Sequence, residues 1–219
     1  MVTIQHQIEE LFNKNLEPYK EQGLERFNKE NWLNLTWKSK KFRRAHIDVV
    51  DARETKRLWM MHVCVFPVVN SGAPIYGFDV IAGEKKITGA FHDFSIVDPN
   101  HTANKKFEDM VSKTQWKKER ELPDWAKEIF SKNMVAAGNL REEEEIKQLS
   151  DLVLETTKWY IEEMPVLEGY QEDYDATENH NRYAYYQKQN PHTPRTMKSL
   201  GLDEKDVDVF VSKCLFPDI

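Results

Sequence analysis

The chain has 219 residues, of which 40% are hydrophobic and 11% aromatic, enough for one sizeable core but short for two domains. The formal net charge of -6 argues against a dedicated nucleic-acid-binding protein, because such proteins are normally basic. The two cysteines, Cys64 and Cys214, stand far apart and outside any CxxC or Cys/His spacing, so no metal site is predicted.

The first residues of the chain predict helices and carry no targeting signal. Apolar residues recur at helical spacing over residues 4–15, and the segment lacks the apolar stretch of a secretory signal. Residues 16–31 predict a second helix, which Pro18 and Gly23 interrupt. No run of about 18 apolar residues occurs anywhere, so a membrane-spanning helix is not expected. We expect a cytoplasmic protein, and a monomer.

The chain then predicts consecutive strands that fold back on one another. Residues 34–39 and 42–50 fit strands, and a period of two places His46, Asp48 and Val50 on one face. Polar residues then form a turn, after which the next strand can return antiparallel to the last one.

Three β-branched and aromatic runs follow, separated by turns rich in glycine, proline and asparagine. They span residues 57–66, 75–82 and 87–94. Such runs, bounded by turn residues, are typical of strands and hairpins, and short connections favour antiparallel pairing. The sequence therefore predicts an antiparallel meander.

The second half of the chain predicts mostly helices. Asp124 is expected to cap a helix over residues 125–130, and residues 131–137 predict a last strand. Residues 142–163 begin with acidic side chains, which suit the N-terminus of a long helix. The remaining predicted helices span residues 103–113, 176–189, 195–200 and 203–215.

Helices before and after a block of strands predict the fold class. We expect an α/β protein, a three-layer α/β/α sandwich with a central antiparallel sheet flanked by helices. No internal repeat or linker divides the chain, so residues 1–219 are predicted to form a single domain.

Polar residues stand in three of the apolar strands: His62, Asp79 and Asp93. A carboxyl buried at Asp79 would have a raised pKa and could carry a proton at neutral pH, but an aspartate at a strand end can equally bond to a turn. His62 in the neighbouring strand is either its proton-transfer partner or a satisfied core histidine. With Asp48 on the adjacent strand, the pattern predicts proton chemistry on a bound apolar ligand, or a polar ligand pocket without catalysis.

Motifs that recur in order along the chain resemble those of the ferredoxin-dependent bilin reductases. They are HVCVFP at 62–67, PIYGFDVIAG at 74–83, RELPDW at 120–125, NPHT at 190–193 and CLFPD at 214–218. The resemblance extends from Phe42 to the C-terminus and is nearest to the phycocyanobilin:ferredoxin oxidoreductase branch. It implies an antiparallel sheet between helical layers, with biliverdin IXα bound between the sheet and the C-terminal helices. It also implies no bound metal or organic cofactor, and single electrons supplied by reduced ferredoxin.

The same resemblance implies the roles of individual residues. Asp79 would protonate the tetrapyrrole, and His62 would hydrogen-bond to it and relay protons. Arg120 corresponds to the arginine that binds a propionate, and Thr88 corresponds to a serine that contacts the propionate. His192 takes the place of a lysine contact.

Two positions bear on the product. The phycoerythrobilin synthase branch has a second aspartate where this chain has Asn190, so the usual acid for A-ring reduction is missing. The phycocyanobilin enzymes have a glutamate at the position of Asp48, and it assists reduction of the D-ring exovinyl group. Aspartate is one methylene shorter, and a misplacement of about an ångström can cost much of a proton-transfer rate.

Some phage-type relatives make phycoerythrobilin by reducing the 15,16 bridge and then the A-ring diene. By this resemblance we expect biliverdin IXα to be converted to phycoerythrobilin through 15,16-dihydrobiliverdin. Phycocyanobilin is the alternative product. A carrier that holds the bilin without reducing it is the alternative of another class.

A ferredoxin partner requires a basic face despite the net charge of -6, because ferredoxins are acidic. The candidates are Lys38, Lys40, Lys41, Arg43, Arg44, Lys85, Lys86, Lys117 and Lys118. The run from 38 to 44 is otherwise a solvated edge. Charge reversal at Lys40 and Lys41 is expected to slow turnover and to reduce its salt sensitivity. No nucleic-acid or membrane partner is expected.

Overall fold

The computed structural model of the protein describes residues 2–167 and 173–219, and in them seven strands form one antiparallel sheet in sequence order. The strands are β1 (Glu17–Tyr19), β2 (Trp32–Lys38), β3 (Phe42–Ala52), β4 (Leu58–Pro67), β5 (Ile75–Gly83), β6 (Ile87–Ser95) and β7 (Val135–Leu140). Each strand pairs with the one that follows it, so the predicted meander is confirmed. The last strand begins later than predicted, because a turn closed by a bond from Met134 N to Ser131 O (3.2 Å) precedes it.

Helices cover both faces of the sheet. They are α1 (Val2–Asn15), α2 (Arg53–Lys56), α3 (Thr102–Val111), α4 (Asp124–Lys127), α5 (Glu143–Lys158), α6 (Thr177–Gln187), α7 (His192–Ser199) and α8 (Glu204–Val209). Two of them, α5 and α8, continue as π-helical turns over Trp159–Glu163 and Phe210–Leu215. One core contains side chains of α1, α3 and α5, and the other contains those of α6, α7 and α8. The predicted three-layer α/β/α sandwich is confirmed.

Strand β4 illustrates how one sequence builds both cores. Val63 and Val65 join the core under α1 and α5, whereas Cys64 and Phe66 join the core under α6–α8. This alternation follows from the period of two along a strand. Because both faces are covered, nearly every position is apolar, and a polar residue such as His62 needs a partner inside the protein.

Residues 16–31 do not form the predicted broken helix, and that prediction is wrong. β1 adds to the edge of the sheet beside β2, and a 3-10 turn, Glu25–Phe27, is the helical part of this segment. Pro18 suits an edge strand because proline has no N–H to donate to a neighbour. Gly23 has a φ of +82°, a left-handed conformation that interrupts a helix.

Asp124 does not cap a helix over residues 125–130, so this prediction is also wrong. Asp124 is the first residue of α4, and Pro123 occupies the cap position. The fixed φ of proline already supplies the turn into the helix. Asp124 Oδ1 instead accepts a hydrogen bond from Lys127 Nζ (2.9 Å).

Candidate active site

A row of side chains crosses four strands at the centre of the sheet. Asn34 on β2 pairs with Asp48 on β3, which pairs with His62 on β4, which pairs with Asp79 on β5. Residues directly opposite one another in antiparallel strands present their side chains on the same face. The register therefore brings Asp48, His62 and Asp79 together on the face that α6–α8 cover.

His62 and Asp79 are in direct contact. The imidazole Nδ1 lies 2.8 Å from Asp79 Oδ1, so the two side chains share a hydrogen bond that sets the orientation of the ring. His62 Nε2 is buried and has no hydrogen-bond partner among the described residues. The ring of Phe216 packs edge-on against the imidazole, with centroids 5.4 Å apart. His62 is therefore held on two sides while one ring nitrogen stays unused.

Burial distinguishes the two carboxyl groups of the row. The side chain of Asp79 is 44% exposed, so of the two alternatives left open for it the buried carboxyl does not apply. Asp48 is the buried one, at 3% exposure. Burial raises the pKa of Asp48 to about 7, although a hydrogen bond from Trp32 Nε1 to Asp48 Oδ1 (2.7 Å) opposes the rise. Asp48 can therefore hold a proton near neutral pH.

His46 extends the row along β3, two residues before Asp48. Its Nε2 lies 3.1 Å from Asn34 Oδ1, which can only accept, so Nε2 carries the hydrogen and Nδ1 is left as an acceptor. The ring centroid is 6.0 Å from that of His62. Burial, with the charge of Arg44 adding to it, lowers the pKa of His46 well below its usual value, so this imidazole is neutral.

A cleft of about 840 Å³ opens in front of the row. Its walls come from β3–β6, the segment from Arg120 to Met134, α6, α7 and the C-terminal residues Leu215 and Phe216. Asp48, His62 and Asp79 all line it. The volume falls in the range of small-molecule sites, which are mostly apolar with a few convergent polar groups.

Arg120 lies on the wall of this cleft. Its Nη2 donates to the carbonyl oxygen of Thr88 (2.8 Å), and its guanidinium carbon lies 6.0 Å from the centre of the Phe91 ring. Thr88 itself is not among the lining residues, and its hydroxyl donates to the Ile81 carbonyl (3.0 Å). The structure thus brings Arg120 to the cleft and leaves Thr88 behind it.

Asn190 and His192 lie at the start of α7, and both line the cleft. Asn190 Oδ1 accepts from the backbone N–H of His192 (3.0 Å), which fixes the turn into the helix. His192 is an exposed side chain at the cleft wall.

Asp93 is buried behind the cleft and anchors one of its walls. It accepts hydrogen bonds from Ser95 Oγ (2.9 Å), Ser131 N (2.9 Å) and Ser131 Oγ (2.5 Å). Burial raises the pKa of Asp93 to about 6, and the bonds from Ser131 and Ser95 oppose the rise. Asp93 therefore fastens the segment that carries Ser131 to the sheet.

The basic candidates for a docking face do not form one surface. Arg44 is buried, donates two hydrogen bonds to Glu21 and a third to the Cys214 carbonyl oxygen. Arg43 is half-buried over the Phe66 ring. Their assignment to a docking face is wrong, because a β-bulge at Phe42/Arg44 interrupts the strand alternation there and both guanidinium groups find partners inside the protein.

The candidate lysines lie at two ends of the sheet. Lys38, Lys40 and Lys41 surround the β2–β3 turn. Lys85 and Lys86 form the β5–β6 turn, at the opposite end of strands about ten residues long, or roughly 30 Å away. Lys117 and Lys118 run beside β7 on the same side as the latter pair, since the Lys118 carbonyl accepts from Gly138 N (2.9 Å).

Sequence reasoning missed Trp32 and Phe216. Trp32 lies two residues from Asn34, and only the sheet register brings its indole to Asp48. Phe216 belongs to the CLFPD motif, which was noted in the sequence. Its contact with His62 was not predicted, because that contact depends on the path of the C-terminal turn. The strand period does place His46 on the face of Asp48, but it predicts no role for it.

The described part of the chain has neither a metal-binding cluster nor a membrane-spanning helix. Residues 2–167 and 173–219 contain no group of three or more His, Cys, Asp or Glu side chains arranged to hold a metal ion. Within the same ranges, no helix has the length and apolar character needed to cross a membrane.

Comparison with known proteins agrees with the motifs. Residues 5–217 match a family model described as ferredoxin-dependent bilin reductase. A phycocyanobilin:ferredoxin oxidoreductase from Prochlorococcus marinus (strain MIT 9515) is 29% identical over 82% of this chain and 74% of its own length. One from Synechococcus sp. (strain CC9605) is 27% identical over 80% of this chain and 71% of its own length.

Solved structures share the fold. A protein named PcyX is 35% identical and has a TM-score of 0.70, covering 100% of this chain and 98% of its own. Phytochromobilin synthase from tomato, solved in complex with biliverdin, is 14% identical with a TM-score of 0.69, covering 98% of this chain and 81% of its own. At that identity the tomato protein supports the fold alone.

Proposed function

The chain belongs to the ferredoxin-dependent bilin reductases, and we propose that it reduces biliverdin IXα to phycoerythrobilin through 15,16-dihydrobiliverdin. As a member of this family it is a ferredoxin-dependent oxidoreductase, so a carrier role without catalysis is set aside. Each of the two reductions adds two electrons and two protons to the tetrapyrrole. A [2Fe–2S] ferredoxin supplies the electrons singly, and side chains of the cleft supply protons to the radical intermediates.

The observation that carries this proposal is the contact between His62 Nδ1 and Asp79 Oδ1 at 2.8 Å on the wall of the cleft. A histidine–carboxyl pair beside a ligand supports general acid–base chemistry. The partial exposure of Asp79 allows it to touch the bilin and donate a proton. His62 then passes its Nδ1 proton to Asp79 while its Nε2 takes up a proton from solvent, so the pair regains the proton it donated.

The second reduction uses Asp48. Its carboxyl lines the same cleft beside His62, and its pKa of about 7 means that a large fraction is protonated at neutral pH. A protonated carboxyl can donate to a radical intermediate, and its shorter side chain delivers the proton from a position that glutamate would not occupy. This difference in reach supports phycoerythrobilin as the final product.

The propionates are bound at the cleft wall that carries Arg120 and the start of α7. Arginine forms strong paired hydrogen bonds with carboxylates, and the bond from Arg120 to the Thr88 carbonyl uses one nitrogen and leaves the others for the ligand. Asn190 and His192 line the same cleft and add polar contacts. Thr88 acts through Arg120 in this proposal, not through its hydroxyl.

Phycocyanobilin is the alternative product. The observation that favours it is the name of the two relatives from Prochlorococcus and Synechococcus, both phycocyanobilin:ferredoxin oxidoreductases. The substitution of glutamate by Asp48 favours phycoerythrobilin.

The test is an anaerobic assay with biliverdin IXα, ferredoxin and a ferredoxin-reducing system, followed by absorption and product chromatography. Phycoerythrobilin formed through a 15,16-dihydro intermediate is the expected result. Phycocyanobilin as the sole product would keep the family and overturn the proposed product. Binding of biliverdin without reduction would contradict the enzymatic proposal.

Asp79→Asn provides the matched control for this assay. Asparagine has nearly the same shape but cannot donate a carboxyl proton, so we expect at least a 100-fold loss of turnover with biliverdin binding retained. Binding is measured from the shift of the bilin absorption on titration with protein. Equal turnover by the variant and the wild type would contradict the role of Asp79.

A further inference from the structure

Trp32 hydrogen-bonds to Asp48, a member of the polar row, from outside the cleft. Its indole Nε1 donates to Asp48 Oδ1 at 2.7 Å, yet Trp32 does not line the cleft. The ring is 4% exposed and packs edge-on against Phe210, with centroids 5.2 Å apart. The indole is thus a fixed donor behind the carboxyl, on the side away from the ligand.

We propose that Trp32 is a positioning residue for the second reduction, holding Asp48 Oδ1 so that the transferable proton resides on Oδ2. The inference rests on the proposed function. An indole N–H donates and never accepts, so an Asp48 carboxyl bonded to it through Oδ1 carries its proton on the other oxygen. Asp48 lines the cleft, and with Oδ1 bonded to the indole we infer that Oδ2 is the oxygen that reaches the bilin. The Asn34 side chain, beside Asp48 on β2, also hydrogen-bonds to this carboxyl and remains in place when Trp32 is changed.

The second reduction adds two electrons and two protons in single steps. One electron passes from reduced ferredoxin to the bound 15,16-dihydrobiliverdin, and a second ferredoxin electron and a proton from the His62–Asp79 pair complete the reduction, so two ferredoxins are oxidised. In the Asp48 step the O–H bond breaks, a C–H bond forms on the tetrapyrrole, and Asp48 is left as a carboxylate. The Trp32 N–H then stabilises that carboxylate, since hydrogen bonds to charged acceptors are stronger than those to neutral ones.

Titratable groups face Asp48 from the elements around it. His62 lies opposite on β4, Asp79 follows on β5, and His46 lies on the same strand. Cys214 approaches from the C-terminal π-helical turn, and burial, with the charge of Asp48 adding to it, raises the pKa of that thiol. Trp32 is not titratable, so removing its N–H changes Asp48 without adding or removing a charge.

Trp37 is a matched control on the same strand. Its indole Nε1 donates to Asn13 Oδ1 (2.9 Å), and its ring packs edge-on against Phe12 with centroids 5.3 Å apart. It is 2% exposed, in the core on the opposite face of the sheet. Trp32→Phe and Trp37→Phe therefore each remove one indole hydrogen bond from a buried tryptophan of β2.

The experiment uses 15,16-dihydrobiliverdin as the substrate, so that only the second reduction is measured, across a range of pH. In Trp32→Phe the maximal kcat falls roughly tenfold because the carboxyl loses its fixed orientation, while KM is unchanged. Loss of the N–H also raises the pKa of Asp48, so the alkaline limb of the pH profile moves upward by about one pH unit. Trp37→Phe moves neither quantity, and on an Asp48→Asn background Trp32→Phe has no further effect.

A second measurement needs no change at Trp32. In the ¹⁵N–¹H spectrum of the wild-type protein, the Trp32 indole resonance shifts with pH at the midpoint of the alkaline limb, and this titration is absent in Asp48→Asn. A Trp32 resonance that does not titrate would overturn the proposal. So would equal profiles for the two tryptophan variants, or a Trp32→Phe effect that persists on the Asp48→Asn background. If the wild type reduces neither tetrapyrrole, the proposed function fails, and the role of Trp32 fails with it.

Discussion

Asp48 on β3 and Asp79 on β5 lie on the same face of the sheet, with β4 between them, yet their side chains differ in exposure. Asp79 is 44% exposed at the cleft, and Asp48 is 3% exposed with a pKa raised to about 7. Two carboxyl groups in such different environments can have different roles in one site. The more exposed carboxyl, Asp79, is suited to the first proton transfer. The buried carboxyl, Asp48, is suited to a transfer that requires a proton held near neutral pH.

The length of residue 48 is expected to decide the product. In Asp48→Glu the carboxyl gains one methylene of reach, as in the phycocyanobilin branch, so phycocyanobilin should appear at the expense of phycoerythrobilin. Chromatography of the products of complete biliverdin reduction measures the ratio. Asp48→Asn, which cannot donate, is the control and should accumulate 15,16-dihydrobiliverdin. An unchanged ratio in Asp48→Glu would show that product choice lies elsewhere.

Ionisation of Asp48 also costs stability, with a definite sign. Its native pKa is about 7 against an ordinary value of 3.8, so above pH 4 the unfolded chain ionises more readily than the native protein. The penalty grows as pH rises from about 4 to about 7 and is then constant. Asp48→Asn keeps an oxygen acceptor for Trp32 and removes the penalty. We expect its free energy of unfolding to exceed that of the wild type by on the order of 4 kcal/mol at pH 8 and by almost nothing below pH 4.

Urea unfolding of both proteins at several pH values measures this difference. Other groups titrate alike in the two proteins, so the comparison isolates Asp48. A difference that is independent of pH would contradict the raised native pKa.

At the scale of elements, the strands that carry the site were predictable and the edges were not. The β-branched runs and short turns of β3–β6 determine strand order, and that order makes Asp48, His62 and Asp79 neighbours. Two features depend on where the distant segment from Arg120 to Met134 packs. They are the face that each strand turns toward the cleft and the exposure of Asp79 in the cleft. The three-residue edge strand β1 has too few residues to show any period, so its sequence resembled a broken helix.

The packing of β7 against the cleft wall gives a prediction of its own. A Cβ at Gly138 would lie 3.0 Å from both Cγ and Nε of Arg120, so Gly138→Ala must displace that side chain. We expect KM for biliverdin to rise several-fold with little change in kcat, because the role proposed for Arg120 is to bind a propionate and not to transfer protons. Gly83→Ala is the control, since its Cβ would meet its nearest neighbour at 3.8 Å, an ordinary contact. Equal KM values for the two variants would argue against Arg120 as a propionate ligand.

At the scale of the whole molecule, the two lysine groups offer ferredoxin two different approaches. The cleft extends from the row toward Ile81 and Arg120, which lie at the end of the sheet that carries Lys85 and Lys86. Lys86 Nζ bonds to Asn139 Oδ1 beside β7, so this basic surface continues toward Lys118. An electron donor docked there stands closer to the cleft mouth than one docked at the β2–β3 turn.

Two double variants separate these approaches. Lys85→Glu/Lys86→Glu and Lys40→Glu/Lys41→Glu each change the formal net charge from -6 to -10, so the change in charge is the same and its position differs. The first pair also removes the bond from Lys86 to Asn139. We expect the first pair to raise KM for ferredoxin about tenfold at low salt and to flatten the salt dependence of turnover. The second pair, whose reversal is expected from the sequence to slow turnover, should have a smaller effect than the first. The reverse order would place the donor at the β2–β3 turn.

The short connection between β3 and β4 has a consequence far from its own position. It consists of α2 and Arg57, whose φ of +53° closes the turn, and it sets the alignment in which Asp48 faces His62. A shift of β3 by one residue along β4 would turn Asp48 to the opposite face of the sheet. Because both faces are apolar, most apolar side chains could still pack after such a shift. The length of this solvent-facing loop therefore determines the geometry of the site, although none of its residues lines the cleft. An insertion or a deletion in this loop is therefore expected to separate Asp48 from His62, whereas a substitution of an exposed loop residue is not.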